Sequence, residues 1–225
     1  MKIIKPGIMF IEDIDGDYIL RKIEKMGRIC YQSEPKGEPE KFVRNLVKRG
    51  HDSVLEHVQL SFIVTTDRGV LAEWTRHRKA SYSVESTRYC NYGGNEIEFI
   101  EPIEMKDSDQ LYALWVNSCQ DVEERYNDMI DAGAKPQEAR SVLDMSLRTM
   151  MGISMNLRSL RNFFRLRCDK AAHPHIKELA IPLLLFFKER IPVVFDDIGY
   201  DEEFYEKYMK GSYKEYIIYD KENFI

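Results

Sequence analysis

The chain has 225 residues, of which 44% are apolar and 32% are charged, and its formal net charge is −5. This length favours one sizeable core, so we predict a single domain over residues 1–225, whose acidic tail from 201 to 225 is a surface segment or an oligomer contact. The acidic balance argues against a general nucleic-acid coat, and no apolar run approaches the ~20 residues that cross a bilayer.

The first hundred residues alternate between two kinds of hydrophobic pattern. Alternating, β-branched and aromatic residues predict strands over 1–12, 58–66 and 96–100. Apolar residues at helical spacing predict helices over 17–32, 40–49 and 70–79.

From about residue 107 the pattern is mostly helical. The long helix over 108–131 is predicted to bury Leu111, Leu114, Trp115, Cys119, Val122, Tyr126 and Ile130. Pro136 occupies a favoured first-turn position of the next helix, and two more helices are predicted over 154–167 and 176–190. Mixed strands and helices followed by a helical half indicate the α+β class.

The four cysteines are widely spaced and include no CxxC pair. They are Cys30, Cys90, Cys119 and Cys168. Such spacing is typical of reduced thiols, so we expect a cytoplasmic protein without structural disulfides.

The segment from Arg76 to Tyr89 is strongly basic for an acidic chain. Four of its fourteen residues are cationic, and three serines and a threonine add hydrogen-bonding groups. Arginine offers a rigid fork of donors for phosphate oxygens, and hydroxyl and loop N–H groups complete a cradle. The segment therefore predicts a site for more than one phosphate group.

Other interpretations of this basic run are a solvated surface, a kinase recognition site or a nucleic-acid contact. Trp74 and Tyr82 lie within or beside the run, and large aromatic side chains usually need burial. The run also follows an apolar helix start. Both features favour a built site over a plain surface.

Arg76-His77-Arg78, then seven residues, then Ser86, resembles the defining motif of the flavin-dependent thymidylate synthases. Three further segments resemble that family in matching order: GHDSVLEH over 50–57, NLRSLRNFFRLR over 156–167 and AAHP over 171–174. The resemblance covers roughly residues 10–195, so chance is a poor explanation.

This resemblance implies a central, mostly antiparallel sheet flanked by helices, assembled as a homotetramer with sites between subunits. The implied ligands are FAD, dUMP and methylenetetrahydrofolate. The residues implied to contact FAD are Ser53, Arg76, His77, Arg78, Asn156, Arg158 and Asn162. The residues implied to contact dUMP are Glu73, Arg76, Ser86, Thr87, Arg88, Arg140 and Arg167. No nucleic acid and no membrane is expected as a partner.

Glu73 and Arg167 leave alternatives open. Glu73 either joins the nucleotide site or orients Arg76, three residues later on the same helix face. The resemblance places Arg167 at the uracil ring as the catalytic residue, where a fixed cation stabilises negative charge as C5 attacks. Because arginine stays protonated, this role is electrostatic. The alternative for Arg167 is a salt bridge to Asp169 or to an acidic helix.

The reaction implied by the resemblance needs no cysteine nucleophile. NADPH reduces the bound FAD, the folate donates a methylene group to C5 of dUMP, and reduced flavin supplies the hydride that completes the methyl group. The products are dTMP and tetrahydrofolate. Ser86 lacks a His-Asp partner in the sequence and is assigned to binding.

The histidines other than His77 are not spaced as metal ligands, so no metal site is expected. We expect His51 to line the flavin or folate cleft, His57 to be buried, and His173 to approach the flavin. His175 follows two residues after His173 and carries no assigned role.

Three positions depart from the family pattern. Val84 stands where members commonly carry a polar residue, the loop over 92–95 is short, and Asp144 stands where a proline is frequent. Glu85 would replace the missing polar group only if its side chain points the same way. Three rival functions follow: a flavoprotein of this family acting on another pyrimidine nucleotide such as dCMP, a nucleic-acid or phosphoprotein-binding module, and an inactive structural tetramer.

Overall fold

The computed structural model describes residues 1–35 and 37–224. Within these residues the strands are β1 (Lys2–Ile4), β2 (Gly7–Phe10), β3 (Gln59–Asp67), β4 (Ala80–Val84), β5 (Glu98–Ile100), β6 (Arg148–Asn156) and β7 (Ile217–Ile218). The α-helices are α1 (Gly16–Tyr31), α2 (Pro39–Lys48), α3 (Arg68–Trp74), α4 (Asp109–Asp131), α5 (Pro136–Ala139), α6 (Leu157–Arg167), α7 (Pro174–Arg190), α8 (Pro192–Phe195) and α9 (Glu202–Tyr208). Short 3-10 helices cover Asp52–His57, Ile103–Asp107, Arg140–Val142, Tyr213–Tyr216 and Lys221–Asn223.

The larger sheet has the strand order β4–β6–β3–β2–β7 in the described part of the chain. β3 pairs antiparallel with β2 and β6, β6 pairs antiparallel with β4, and β7 pairs parallel with β2. A second, two-stranded sheet joins β1 and β5 in parallel. The predicted α+β fold with a mostly antiparallel sheet is confirmed.

The central strand β3 shows why one face of the sheet is covered by helices. Leu60, Phe62 and Val64 are almost fully buried and alternate with partly exposed residues, as a strand with one packed face requires. They share their core with α7, which is buried on nearly all sides from Ile176 to Phe187. No helix in residues 1–35 or 37–224 is long and apolar enough to cross a membrane.

Three strands, β4, β6 and the two-residue β7, were not predicted from the sequence. The serine-rich stretch of β4 had no predicted strand, and β6 overlaps the start of the helix predicted over 154–167, which begins at Leu157. β6 pairs along its length with β3 and also with β4, so the strand is stabilised by partners distant in sequence. The helix predicted over 70–79 starts earlier, at a cap from the Asp67 side chain, and ends at Trp74.

The buried side of α4 was predicted too broadly. Trp115, Cys119 and Tyr126 are buried in a second core, whereas Leu111 and Leu114 are 56% and 59% exposed. Leu111 lies in the first helical turn, and Leu114 points to the flank of the helix, away from the packed stripe. Burial raises the pKa of the Cys119 thiol to about 12.

The tail from 201 to 225 is integrated into the domain as far as residue 224. Its Phe204, Met209 and Tyr216 side chains are buried in the main core, and β7 extends the larger sheet. The tail therefore contributes to folding and is more than a surface segment.

Candidate active site

A groove of about 540 Å³ runs between the end of α3 and helix α6. It is lined by Arg76, His77, Arg78, Lys79, Met155, Arg158, Ser159, Asn162, Leu166 and Arg167. The structure thus brings the two predicted cofactor-binding segments together. Of the five cationic side chains in this groove, Arg158 and Arg167 are paired with Glu56 and Glu73, and the other three make the groove locally positive in an acidic protein.

Aromatic side chains hold the turn that carries Arg76, His77 and Arg78. Trp74 is fully buried, and its ring stacks on Phe163 of α6 at 4.4 Å between centroids. The Tyr82 hydroxyl donates to the carbonyls of Trp74 at 2.9 Å and of His77 at 2.8 Å. Burial raises the Tyr82 pKa to about 12, so this hydroxyl remains a donor at neutral pH.

Helix α6 presents its N-terminal end to the same groove. The Asn156 side chain accepts a hydrogen bond from the Ser159 main-chain N–H at 2.8 Å and caps the helix. Arg158 and Asn162, four residues apart, both line the groove, as their shared helix face predicted. A helix N-terminus with an arginine beside it favours a bound anion.

Arg167, at the end of α6, is held by the end of α3. Its Nη1 donates to Glu73 Oε2 at 2.7 Å, its Nη2 to the Glu73 carbonyl at 3.1 Å, and its Nε to His77 Nε2 at 3.0 Å. Burial and the Arg167 charge lower the His77 pKa to about 4, so His77 is a neutral acceptor. Glu73 therefore pairs with Arg167 and not with Arg76, and Arg167 finds its acidic partner on α3 and not at Asp169.

Ser53 lies outside the groove, in a neighbouring pocket of about 380 Å³ that also contains His51 and Tyr31. Arg158 lines both spaces and therefore separates them. His51 Nδ1 is 3.0 Å from the Tyr31 hydroxyl. His57 was expected to be buried, but it is exposed because it ends the 3-10 helix on the solvent side.

The predicted dUMP phosphate residues form a separate group beyond the end of β4. Arg88 Nε donates to Gln137 of α5 at 3.3 Å, and Arg140 follows α5 directly. The main-chain N–H of Arg88 donates to the Ser86 hydroxyl at 3.3 Å, and Thr87 is buried. None of Ser86, Thr87, Arg88 and Arg140 lines the groove of this chain.

Glu85 does not replace the polar group missing at Val84. Its carboxylate contacts Arg148 at 2.6 Å and the Tyr92 hydroxyl at 2.8 Å. Val84 is 38% exposed. The two side chains follow each other at the end of a strand and point to opposite sides.

His173 lines a third pocket, of about 340 Å³, together with Glu73, His175 and Asp67. It does not line the groove. His175 Nδ1 is 2.9 Å from Asp67 Oδ2, and its Nε2 is 3.1 Å from Glu104 Oε1. Burial alone would lower the His175 pKa, but the two carboxylates outweigh it and raise that pKa to about 10.

Several groove residues were absent from the predicted site. Lys79 belonged to the basic run and could have been included on charge alone. Ser159, Met155 and Leu166 gave no such signal, because a serine or an apolar residue in a helix or strand is most often structural.

The fold and the groove define an α+β protein in which two cationic helix ends converge on one site. Comparisons with known proteins narrow this class. The family model described as thymidylate synthase complementing protein matches residues 17–193. The chain belongs to this family, the flavin-dependent thymidylate synthases.

Individual relatives support that membership. The flavin-dependent thymidylate synthase of Geobacter sulfurreducens is 32% identical over 159 residues, which are 70% of this chain and 68% of the relative. The enzyme of the same description from Thermosipho melanesiensis is 30% identical over 212 residues, 87% of this chain and 91% of the relative. A crystal structure of the UMP/dUMP methylase PolB from Streptomyces cacaoi, bound with 5-Br dUMP, has the same fold. Its TM-score is 0.74 at 20% identity, with 94% of this chain and 100% of that chain covered.

Proposed function

We propose that this chain is an FAD-dependent thymidylate synthase that converts dUMP to dTMP in the cytoplasm. Methylenetetrahydrofolate is the carbon donor, and NADPH is the source of the hydride. The observation that carries the proposal is the groove that joins Arg76, His77 and Arg78 to Arg158 and Asn162. The named relatives support the same activity.

The donor set of the groove suits a flavin dinucleotide. Two phosphates suit Arg76, Arg78 and Arg158, and the amide of Asn162 adds a hydrogen-bonding group. Apolar Met155 and Leu166 offer a surface for a flat ring. A volume of about 540 Å³ lies in the range of ordinary ligand sites. When bound, reduced flavin supplies the hydride that completes the methyl group.

Arg167 has the geometry for the electrostatic role. Three of its five N–H donors are used by Glu73 and His77, which leaves one on each terminal nitrogen for two oxygens of a ligand. A fixed cation there stabilises negative charge on the uracil ring when C5 forms its bond to the methylene carbon. Overall, the C5 hydrogen is replaced by a methyl group, NADPH is oxidised and tetrahydrofolate is released.

We propose that the complete site forms between subunits of a homotetramer. Arg88 and Arg140, which suit the dUMP phosphate, lie apart from the groove of their own chain. The groove of one copy would then be completed by the Ser86-Thr87-Arg88 loop of another. Tyr89, which follows this loop and is 77% exposed, is available for such a contact. Mass photometry of the purified protein measures the number of copies.

The test begins with the visible absorption spectrum of the purified protein, which should show bound flavin. Turnover is then measured with dUMP, dCMP and UMP in the presence of NADPH and methylenetetrahydrofolate. Methylation of dUMP at the highest kcat/KM supports the proposal. A colourless protein that binds oligonucleotides in a salt-sensitive manner would instead support a nucleic-acid-binding module.

The second candidate function is methylation of another pyrimidine nucleotide. Val84 favours this candidate, since it leaves an apolar, exposed side chain two residues before Ser86. PolB, which shares this fold and is described as a UMP/dUMP methylase, supports testing UMP as well as dUMP. A preference for dCMP or UMP in the same assay would establish it.

A further inference from the structure

Glu73 accepts two hydrogen bonds from Arg167, one at its carboxylate and one at its main-chain carbonyl. Its carboxylate Oε2 accepts from Nη1 at 2.7 Å, and its main-chain carbonyl accepts from Nη2 at 3.1 Å. The carbonyl belongs to the last turn of α3, so its position is set by the helix and not by a side-chain rotamer. The two bonds restrain both terminal nitrogens of the guanidinium group.

His77 completes the restraint from the third nitrogen of the guanidinium group. Arg167 Nε donates to His77 Nε2 at 3.0 Å, which requires the neutral ring with its proton on Nδ1. The ring makes a T-shaped contact with Phe163, with centroids 5.0 Å apart, and only 8% of His77 is exposed. A packed neutral acceptor and a helical carbonyl define the plane of the guanidinium group.

We propose that Glu73 is a positioning residue for Arg167, holding the guanidinium plane at the reacting ring instead of contacting the nucleotide itself. The inference rests on the proposed function, in which Arg167 stabilises the charge on the ring. An arginine side chain has several rotatable bonds. The hydrogen bond to the Glu73 carboxylate restricts them before the substrate binds. Misplacement of a catalytic group by about 1 Å can cost 100-fold in rate.

The partial exposure of the two side chains distinguishes a positioning role from a role in the stability of the fold. Glu73 and Arg167 are 28% and 21% exposed, and Arg167 lines the groove while Glu73 lines the neighbouring pocket of His173, so the pair lies between two open spaces and not in the core. Loss of one partner therefore leaves a group that water can reach, and the fold is expected to survive. The change should appear in turnover and in the surroundings of His77.

The experiment compares Glu73→Ala with Glu73→Gln in the flavin-loaded protein. The glutamine amide oxygen can accept the Nη1 bond without carrying charge. Glu40→Ala is the matched control, because Glu40 makes an exposed ion pair with Arg44 on α2 at 2.8 Å. Turnover with dUMP gives kcat and KM, and 13C-labelled histidine NMR follows the titration of the His77 ring, assigned with a His77→Gln spectrum.

Glu73→Ala is expected to lower kcat by about 100-fold, with KM for dUMP and flavin affinity changed less than threefold. Glu73→Gln is expected to recover kcat to within about fivefold of wild type. In Glu73→Ala the His77 pKa should rise from about 4, because Arg167 moves away and its repulsion of the ring proton is lost. Glu40→Ala should match wild type in every measurement.

Two results would overturn the inference. The first is a large rise in KM with the His77 titration unchanged, which would make Glu73 a direct nucleotide contact. The second is wild-type kcat in Glu73→Ala. Absence of dUMP methylation by the wild-type protein would refute the proposed function instead, and the His77 titration would still decide whether Glu73 positions Arg167.

Discussion

Helix α6 carries half of the groove, and one ion pair anchors its buried side. Arg161 is 2% exposed and donates to both carboxylate oxygens of Asp197, at 2.7 Å each, and to the Val194 carbonyl. Asp197 is 51% exposed on its side chain. Water can reach Asp197 when Arg161 is removed, but it cannot reach Arg161 when Asp197 is removed. The two substitutions should therefore cost different amounts of stability.

Asp197→Ala leaves a buried guanidinium group with a single main-chain acceptor. Breaking a buried ion pair from one side costs about 3–5 kcal/mol, and because one edge of this pair is exposed, the expected loss is about 3 kcal/mol. For a chain of 225 residues this lowers Tm by roughly 6–12 °C. Arg161→Leu removes the buried charge and leaves a hydrated carboxylate, so its expected loss is only about 1 kcal/mol.

Urea unfolding of both variants, at equal flavin occupancy, measures these free energies. Asp196→Ala, at an exposed neighbouring aspartate, is the control and should change stability by less than about 0.5 kcal/mol. The hydrogen bonds from Arg161 lower the Asp197 pKa below its ordinary value of 3.8. The pair therefore stabilises the fold above pH 3.8, and this contribution is lost as the pH falls through the lowered pKa. Equal losses for Asp197→Ala and Arg161→Leu, or a larger loss for the latter, would refute this account of the pair.

Three further predictions follow from the site and its surroundings. Arg167→Ala should keep bound flavin in the visible spectrum but lose methylation of dUMP, and unchanged turnover would remove Arg167 from the catalytic role. His175, with a folded pKa of about 10 against an ordinary 6.5, stabilises the fold fully below pH 6.5 and loses this contribution as pH rises through 10. Wild type should therefore lose stability relative to His175→Gln across that range, and a difference independent of pH would contradict the ion cluster. Gly16→Ala should destabilise the fold by about 2 kcal/mol, because a Cβ there would overlap the Arg190 carbonyl, whereas Gly199→Ala meets open space and should be nearly neutral in the same urea titration.

Local chemistry was sufficient for part of this description. The basic run from Arg76, the helix face shared by Arg158 and Asn162, and the strong periodicity of β3 are all properties of short segments. A short segment carries its own donors, charge and hydrophobic spacing, so these features could be predicted. The basic run and the shared helix face are found together around one groove.

Pairing between distant segments was not predictable in the same way. β6 is a strand because β3 and β4 flank it, although its own residues gave no clear strand pattern. The partner of Arg167 could not be predicted for the same reason. Glu73 lies 94 residues earlier, and nothing in the sequence ranks it above Asp169.

The sequence by itself therefore determined the chemistry of the site: which segments carry cations, hydroxyls and amides, and the family whose motif they match. The tertiary structure decided where each side chain points and which residues surround it. It turned Glu85 toward Arg148, placed Ser53 in a side pocket and set Arg88 apart from the groove. The physical reason is that residue type fixes what a group can bind, whereas the backbone path and packing of the whole chain fix which group it meets.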